Sequence, residues 1–150
     1  MRMDAYIVIG NPNTRKASVV RSLTGCFNRS VRDIQPLGGK PVLRLYARVG
    51  TLQDSKCSPA DFIAEAASTH CSAVLCCLSP NANPDHAEHL PDAQAYLAAF
   101  KAAGWRQRAI AVLGQNGGGV RSPSLLQFPQ APIAPINQTA RAVRMHFGWE

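Results

Sequence analysis

The sequence predicts an α/β fold: a mostly parallel sheet of about six strands with one antiparallel member, helices on both faces, and a single domain over residues 1–150. Three observations predict it. The apolar runs Tyr6–Ile9, Ser72–Leu78 and Ala109–Leu113 are continuous rather than alternating, as in strands buried on both faces. Helical patterns with start and stop residues separate these runs. A hairpin signal, Pro36-Leu37-Gly38-Gly39-Lys40, lies between the first helix and the second run.

Taken in order, Tyr6–Ile9 is the first strand, and Gly10-Asn11-Pro12-Asn13-Thr14 turns the chain. The next helix sets Val19, Val20 and Leu23 on one side and stops at Gly25. Cys26–Arg32 reads as a polar connector. Residues 31–35 and 41–49 form the hairpin strands. In the second of these Leu43, Leu45, Ala47 and Val49 share one face, and Arg44, Tyr46 and Arg48 the other. Ser58-Pro59-Ala60-Asp61 starts a helix in capping-box fashion that runs to about Thr69. Residues 79–92 are a polar connector with three prolines, after which Asp92 caps a helix carrying Tyr96, Leu97 and Phe100 and closed by Gly104. The third buried run leads into Gly114–Gly119. Residues 120–130 read as irregular because of Pro123 and Pro129, and residues 132–136 as an edge strand. Asn137 is expected to cap a last helix with Ala140, Val143 and Phe147 inward, and Trp149 to pack its end.

A strand, a glycine-started loop and a helix with a lysine in its first turn are the parts of a phosphate-binding loop, where amides and helix dipole hold an anion. The wording resembles P-loop GTPases whose first motif reads G-N-P-N-x-G-K-[ST] and ends in L-T-G. Here the chain has Gly10-Asn11-Pro12-Asn13-Thr14-Arg15-Lys16-Ala17-Ser18 and Leu23-Thr24-Gly25. Arg15 stands where the family has glycine, and Ala17 where it has the metal-binding hydroxyl, with Ser18 adjacent. The resemblance implies a three-layer P-loop NTPase-like, G-domain-like fold. It also implies a nucleotide site at Gly10, Asn13, Thr14, Arg15, Lys16, Ala17 and Ser18, with GTP or ATP and Mg²⁺ as cofactors. The family's switch-loop threonine has only Ser30 as a counterpart, no Asp ends the strand before Gly50, and Gly114–Gly119 replaces the guanine-reading N-K-x-D. The implied protein is a degenerate, weak or inactive GTPase-like module with a regulatory or scaffolding role and a protein partner; the alternative is a nucleotide-binding protein, for GTP or ATP, with slow hydrolysis. Arg15 either fills the phosphate position or adds charge to a bound anion. A generic Rossmann-like domain is the rival, although its G-x-G-x-x-G is absent.

The net charge of +7, with 12 Arg against 4 Lys, favours anionic partners: a nucleotide, nucleic acid or an acidic protein surface. A basic nucleic-acid-binding domain is therefore a further reading, with Arg44, Tyr46 and Arg48 as its surface or as a partner surface. The alternative for that face is simple coverage by a helix. His86 and His89 with Asp85 are metal candidates by spacing, against a solvated loop as the default. No apolar run is long enough to insert in a membrane. Five cysteines, two in a buried run, read as reduced thiols of a cytoplasmic protein.

Overall fold

A computed structural model describes residues 3–36 and 38–149. The chain runs β1 (Asp4–Ile9), α1 (Lys16–Thr24), β2 (Arg29–Ile34), β3 (Leu43–Thr51), α2 (Pro59–Ser68), β4 (Ala73–Leu78), α3 (Ala93–Ala102), β5 (Arg106–Leu113), β6 (Leu125–Phe128) and α4 (Ile136–Phe147). One six-stranded sheet has the order β2-β3-β4-β1-β5-β6. Only the β2–β3 pair is antiparallel; the other pairs are parallel.

The continuous apolar runs become the central strands because both sheet faces are covered. Side chains alternate across the pleat. Tyr6 and Val8 of β1, Leu75 and Cys77 of β4, and Ala111 and Leu113 of β5 enter one core with α1 and α4. Ile7 and Ile9, Cys76 and Leu78, and Ile110 and Val112 enter the other with α2 and α3. Both helix pairs therefore flank the sheet as the sequence predicts. All five cysteines are buried free thiols, and burial pushes Cys77 up to about 12. Among the described residues no helix is long and apolar enough to cross a membrane.

Omitting the antiparallel β2 and numbering the parallel strands in chain order gives 2-3-1-4-5. That differs from the Rossmann order 3-2-1-4-5-6 and the flavodoxin-like 2-1-3-4-5, so the Rossmann rival loses its topology as well as its glycine motif. The chain leaves β1 toward β3 on one face and leaves β4 toward β5 on the other. The switch point thus lies at the carboxyl ends of β1 and β4, where open α/β sheets open a crevice.

Several expected boundaries move. The connector after α1 shortens, because β2 already begins at Arg29 and pairs Ser30 with Ala47. Leu37 of the expected hairpin turn lies outside the described residues. The edge strand is Leu125–Phe128, and not residues 132–136. Pro123 and Pro129 bound this strand rather than interrupt it, while Ile133 and Ala134 donate their amides to Gln130 O in a turn. α4 starts after Pro135, whose carbonyl accepts from Gln138 and Thr139, so Asn137 sits inside the first turn and caps nothing. The other helix ends are as predicted. Ser58 and Asp61 form both bonds of the capping box, Asp92 accepts from Ala95 N, and Gly25 ends α1 in the left-handed region. Each such cap stabilises by about 1 kcal/mol.

Candidate functional site

The loop between β1 and α1 is held from below. Gly10 lies so close to the neighbouring strand that a Cβ there would overlap Thr14 Oγ1 and approach Leu113 O to 3.1 Å. Thr14 Oγ1 in turn donates to Asn11 O at 2.8 Å. The Lys16 ammonium folds back and donates to Gly10 O at 2.6 Å and Asn11 O at 3.1 Å. An ammonium carries three protons, so one donor direction is left for a ligand. Lys16 is 8% exposed. Burial lowers its pKa, and the nearby Cys77 and Asp54 offset part of that effect.

Asn13 and Arg15 both adopt left-handed backbone, at φ 68° and 71°. A side chain in this region costs about 1–2 kcal/mol that glycine avoids. Left-handed residues at Asn13 and Arg15, separated by Thr14, give the loop an alternation of backbone hand. Among the described residues, the amides of Asn13, Arg15, Lys16, Ala17 and Ser18 donate to no protein acceptor. The first four amides of any helix lack internal partners, and at α1 they adjoin the loop whose carbonyls hold the Lys16 ammonium. The Arg15 guanidinium donates to Ala134 O at 2.8 Å.

A cleft of about 340 Å³ opens beside the loop, lined by Pro12, Asn13, Arg15, Lys16 and Ala17 on one wall and Val49, Gly50, Thr51 and Asp54 on the other. Since β4 separates β1 from β3, the turn after β3 reaches this cleft across the end of β4, where Leu52 N bonds Cys77 O at 3.0 Å. Gln53, 1% exposed, fixes that turn by bonding Ser79 N, Ser79 O and Pro91 O. Ala17, not Ser18, faces the cleft, because adjacent helix positions point about 100° apart. Ser18 is exposed and is not among the residues lining the cleft. Asp54 is an acid that the sequence pattern did not offer. It lies three residues beyond the strand end, and only the turn held by Gln53 brings it opposite Lys16.

The remaining predicted residues do not join the cleft. Asp85, His86 and His89 are exposed, and among the described residues no group of three His, Cys, Asp or Glu side chains gathers to hold a metal. Of the Arg44–Tyr46–Arg48 face proposed for nucleic acid or a partner, only Arg44 stays in solvent, loosely paired with Asp33 at 3.4 Å. α2 covers the rest: Tyr46 is buried with its hydroxyl on Glu65, and Arg48 holds the same carboxylate at 2.7 Å. Asn116 in the glycine loop touches the loop between β1 and α1 through Asn11, with its amide at 3.2 Å. A larger cavity of about 410 Å³ lies beside α3, with Gln94, Lys101 and Arg121 in its wall, but none of the sequence-predicted site residues lines it. No protein-family model, curated protein or solved structure matches the chain.

Proposed function

We propose that the chain is a degenerate GTPase-like P-loop domain that retains an anion cradle, takes the phosphate chain of a nucleotide, and hydrolyses it slowly or not at all. The single observation that carries this reading is the run of amides at Asn13 and Arg15 to Ser18 that have no protein acceptor beside the Lys16 ammonium, with the Arg15 guanidinium bonded to Ala134 O. The amides and the free proton of Lys16 would hold phosphate oxygens, and the α1 dipole adds to their attraction. Mg²⁺ is bound through one or two carboxylates plus phosphate oxygens, and Asp54 is the acid that would hold it, through water. Weak chemistry follows from Ala17, which offers no oxygen on the cleft wall, since phosphoryl transfer depends on a positioned metal and nucleophile. A domain that binds without turning over acts through the surface it presents, hence a regulatory or scaffolding role toward a protein partner. Asn116 bonds back to Asn11 and to Gly118 N, so it gives no support to guanine over adenine.

Calorimetric titration with GTP and ATP, with and without Mg²⁺, tests the reading on the intact chain and on Lys16→Ala. Binding lost in Lys16→Ala, with far-UV circular dichroism unchanged, is the expected result. Equal affinity in the two proteins would refute the phosphate-loop assignment.

A further inference from the structure

β6 ends the sheet, and among the described residues no strand pairs with its outer side. Ile110 N bonds Ser124 O and Gly114 N bonds Phe128 O, so the backbone of every second residue from Ser124 faces β5. Leu125 and Gln127 consequently turn theirs outward. Leu125 N is taken by Ser122 O, and Pro129 has no N–H to offer. What remains at the edge is the Leu125 carbonyl with the N–H and carbonyl of Gln127, enough to bond an added strand.

Open edges are ordinarily blunted by charge, above all by lysine. Here residues 122–140 carry no charged side chain. The pleat gives this neutral edge two unlike flanks. On the side toward α4, Leu126 is 47% exposed. His146 of α4 meets Ser124 O at 2.8 Å, which lays the helix beside β6. Gln138, Ala142 and Met145 form one stripe of that helix, and Met145 is 62% exposed. A trough of about 260 Å³ between the two elements is lined by Phe128, Ala131, Ala134 and Ala142, among others. On the side toward α3, Leu125 and Val120 pack on the other core, and Val120 shares the cavity of about 410 Å³ with Lys101 and Arg121. Neither cation pairs with a carboxylate among the described residues.

The field at this end of the sheet has one sign. Residues 93–149 hold Lys101, Arg106, Arg108, Arg121, Arg141 and Arg144, and no Asp or Glu. α1, which packs on α4, contains no acid either. A second copy brought to this edge would set like charges against each other, whereas an acidic strand is drawn to it.

We propose that the β6 edge takes an extended segment of a partner protein in which apolar and acidic side chains alternate. Its backbone adds a strand to the sheet through Leu125 and Gln127. Its apolar side chains meet Leu126, Met145 and the trough, and its carboxylates meet Lys101 and Arg121. The proposal rests on the scaffolding part of the functional reading and deepens it, naming the surface and the partner's chemistry; occupancy of the loop does not enter.

The test is fluorescence anisotropy of the full chain, without nucleotide, using labelled octapeptides of four Val-Asp or four Val-Lys repeats. Two variants accompany it. Gln127→Pro removes an N–H that points away from β5, which an edge strand tolerates, and Leu126→Glu alters an exposed side chain. Far-UV circular dichroism checks that both keep the fold. The Val-Asp peptide is expected to bind about tenfold or more tighter than the Val-Lys peptide, and to weaken as salt is raised. Gln127→Pro should weaken it about fivefold, the worth of one backbone hydrogen bond. Leu126→Glu should weaken it about tenfold, by a lost apolar contact and a like charge. Affinity unchanged in both variants, or equal for the two peptides, overturns the proposal. Self-association in sedimentation that Gln127→Pro abolishes assigns the edge to a second copy and overturns it as well. No binding of the Val-Asp peptide overturns the edge assignment and leaves the loop reading to its own nucleotide titration.

Discussion

Replacing Gly10 by alanine probes the closest contact in the loop, and the structure lets its cost be apportioned. The added Cβ overlaps Thr14 Oγ1, lies 3.3 Å from Thr14 Cβ, and sits 3.1 Å from the backbone oxygen of Leu113. Forcing a methyl into such a space costs about 1–3 kcal/mol. Displacing Thr14 also breaks its bond to Asn11 O, for about 1 kcal/mol more. Gly10→Ala should therefore destabilise by about 2–4 kcal/mol. Thr14→Ala alone removes the same bond and a buried methyl, for about 1.5–2 kcal/mol. In the double variant the oxygen that clashes is gone and the bond is counted once. Its cost should fall short of the sum of the singles by about 1–2 kcal/mol, a coupling well above the scatter of independent sites. Urea unfolding of the four proteins of the cycle, followed by tryptophan fluorescence, measures this directly. Strict additivity would refute the packing of Gly10 against Thr14, and with it the account of why this loop opens with glycine.

Two further outcomes depend on pH. Because burial lowers the Lys16 pKa, charged Lys16 is penalised in the folded state, and its contribution to stability rises with pH from that lowered value up to 10.5. The same shift should make binding of sulfate, an anion that does not titrate in this range, weaken at a midpoint below 10.5; a midpoint at or above 10.5 would contradict the buried ammonium. Tyr96 is buried and donates to Cys57 O at 2.6 Å, and burial raises its pKa above the ordinary 10.0. A raised phenol contributes stability that is complete below pH 10.0 and is lost as pH climbs beyond it. Tyr96→Phe should cost about 1–2 kcal/mol at neutral pH and flatten the alkaline fall in urea midpoint, and an unchanged alkaline slope would count against the buried hydroxyl.

Much of this molecule was legible in the chain because its signals are local. Continuous apolar runs specify central strands, since a strand covered on both faces needs apolar side chains at every position. Ser58 with Asp61, Asp92, and Gly25 bound their helices through contacts within a single turn. The loop's own residues were legible for the same reason: Gly10, Asn13, Arg15 and Lys16 are consecutive enough for their order to define their geometry. Where prolines were read as breakers, between Val120 and Gln130, local reasoning failed, because pairing with β5 stabilises a four-residue strand that its own sequence barely favours.

The sequence by itself thus determined an α/β sheet covered on both faces and a glycine-opened loop that leads from β1 into α1 with Lys16 at the helix start. Tertiary structure alone decided what surrounds that loop. Strand order carried the turn after β3 across β4 and set Asp54 opposite Lys16, through a buried Gln53 that ties segments 26 residues apart. Packing of α2 buried Tyr46, bound Arg48 to Glu65, and so closed a face that could have met nucleic acid. The turn before α4 binds the Arg15 guanidinium through Ala134 O. Each of these depends on residues distant in the chain meeting in space. Periodicity records which side of an element is buried, and it does not record what that side is buried against.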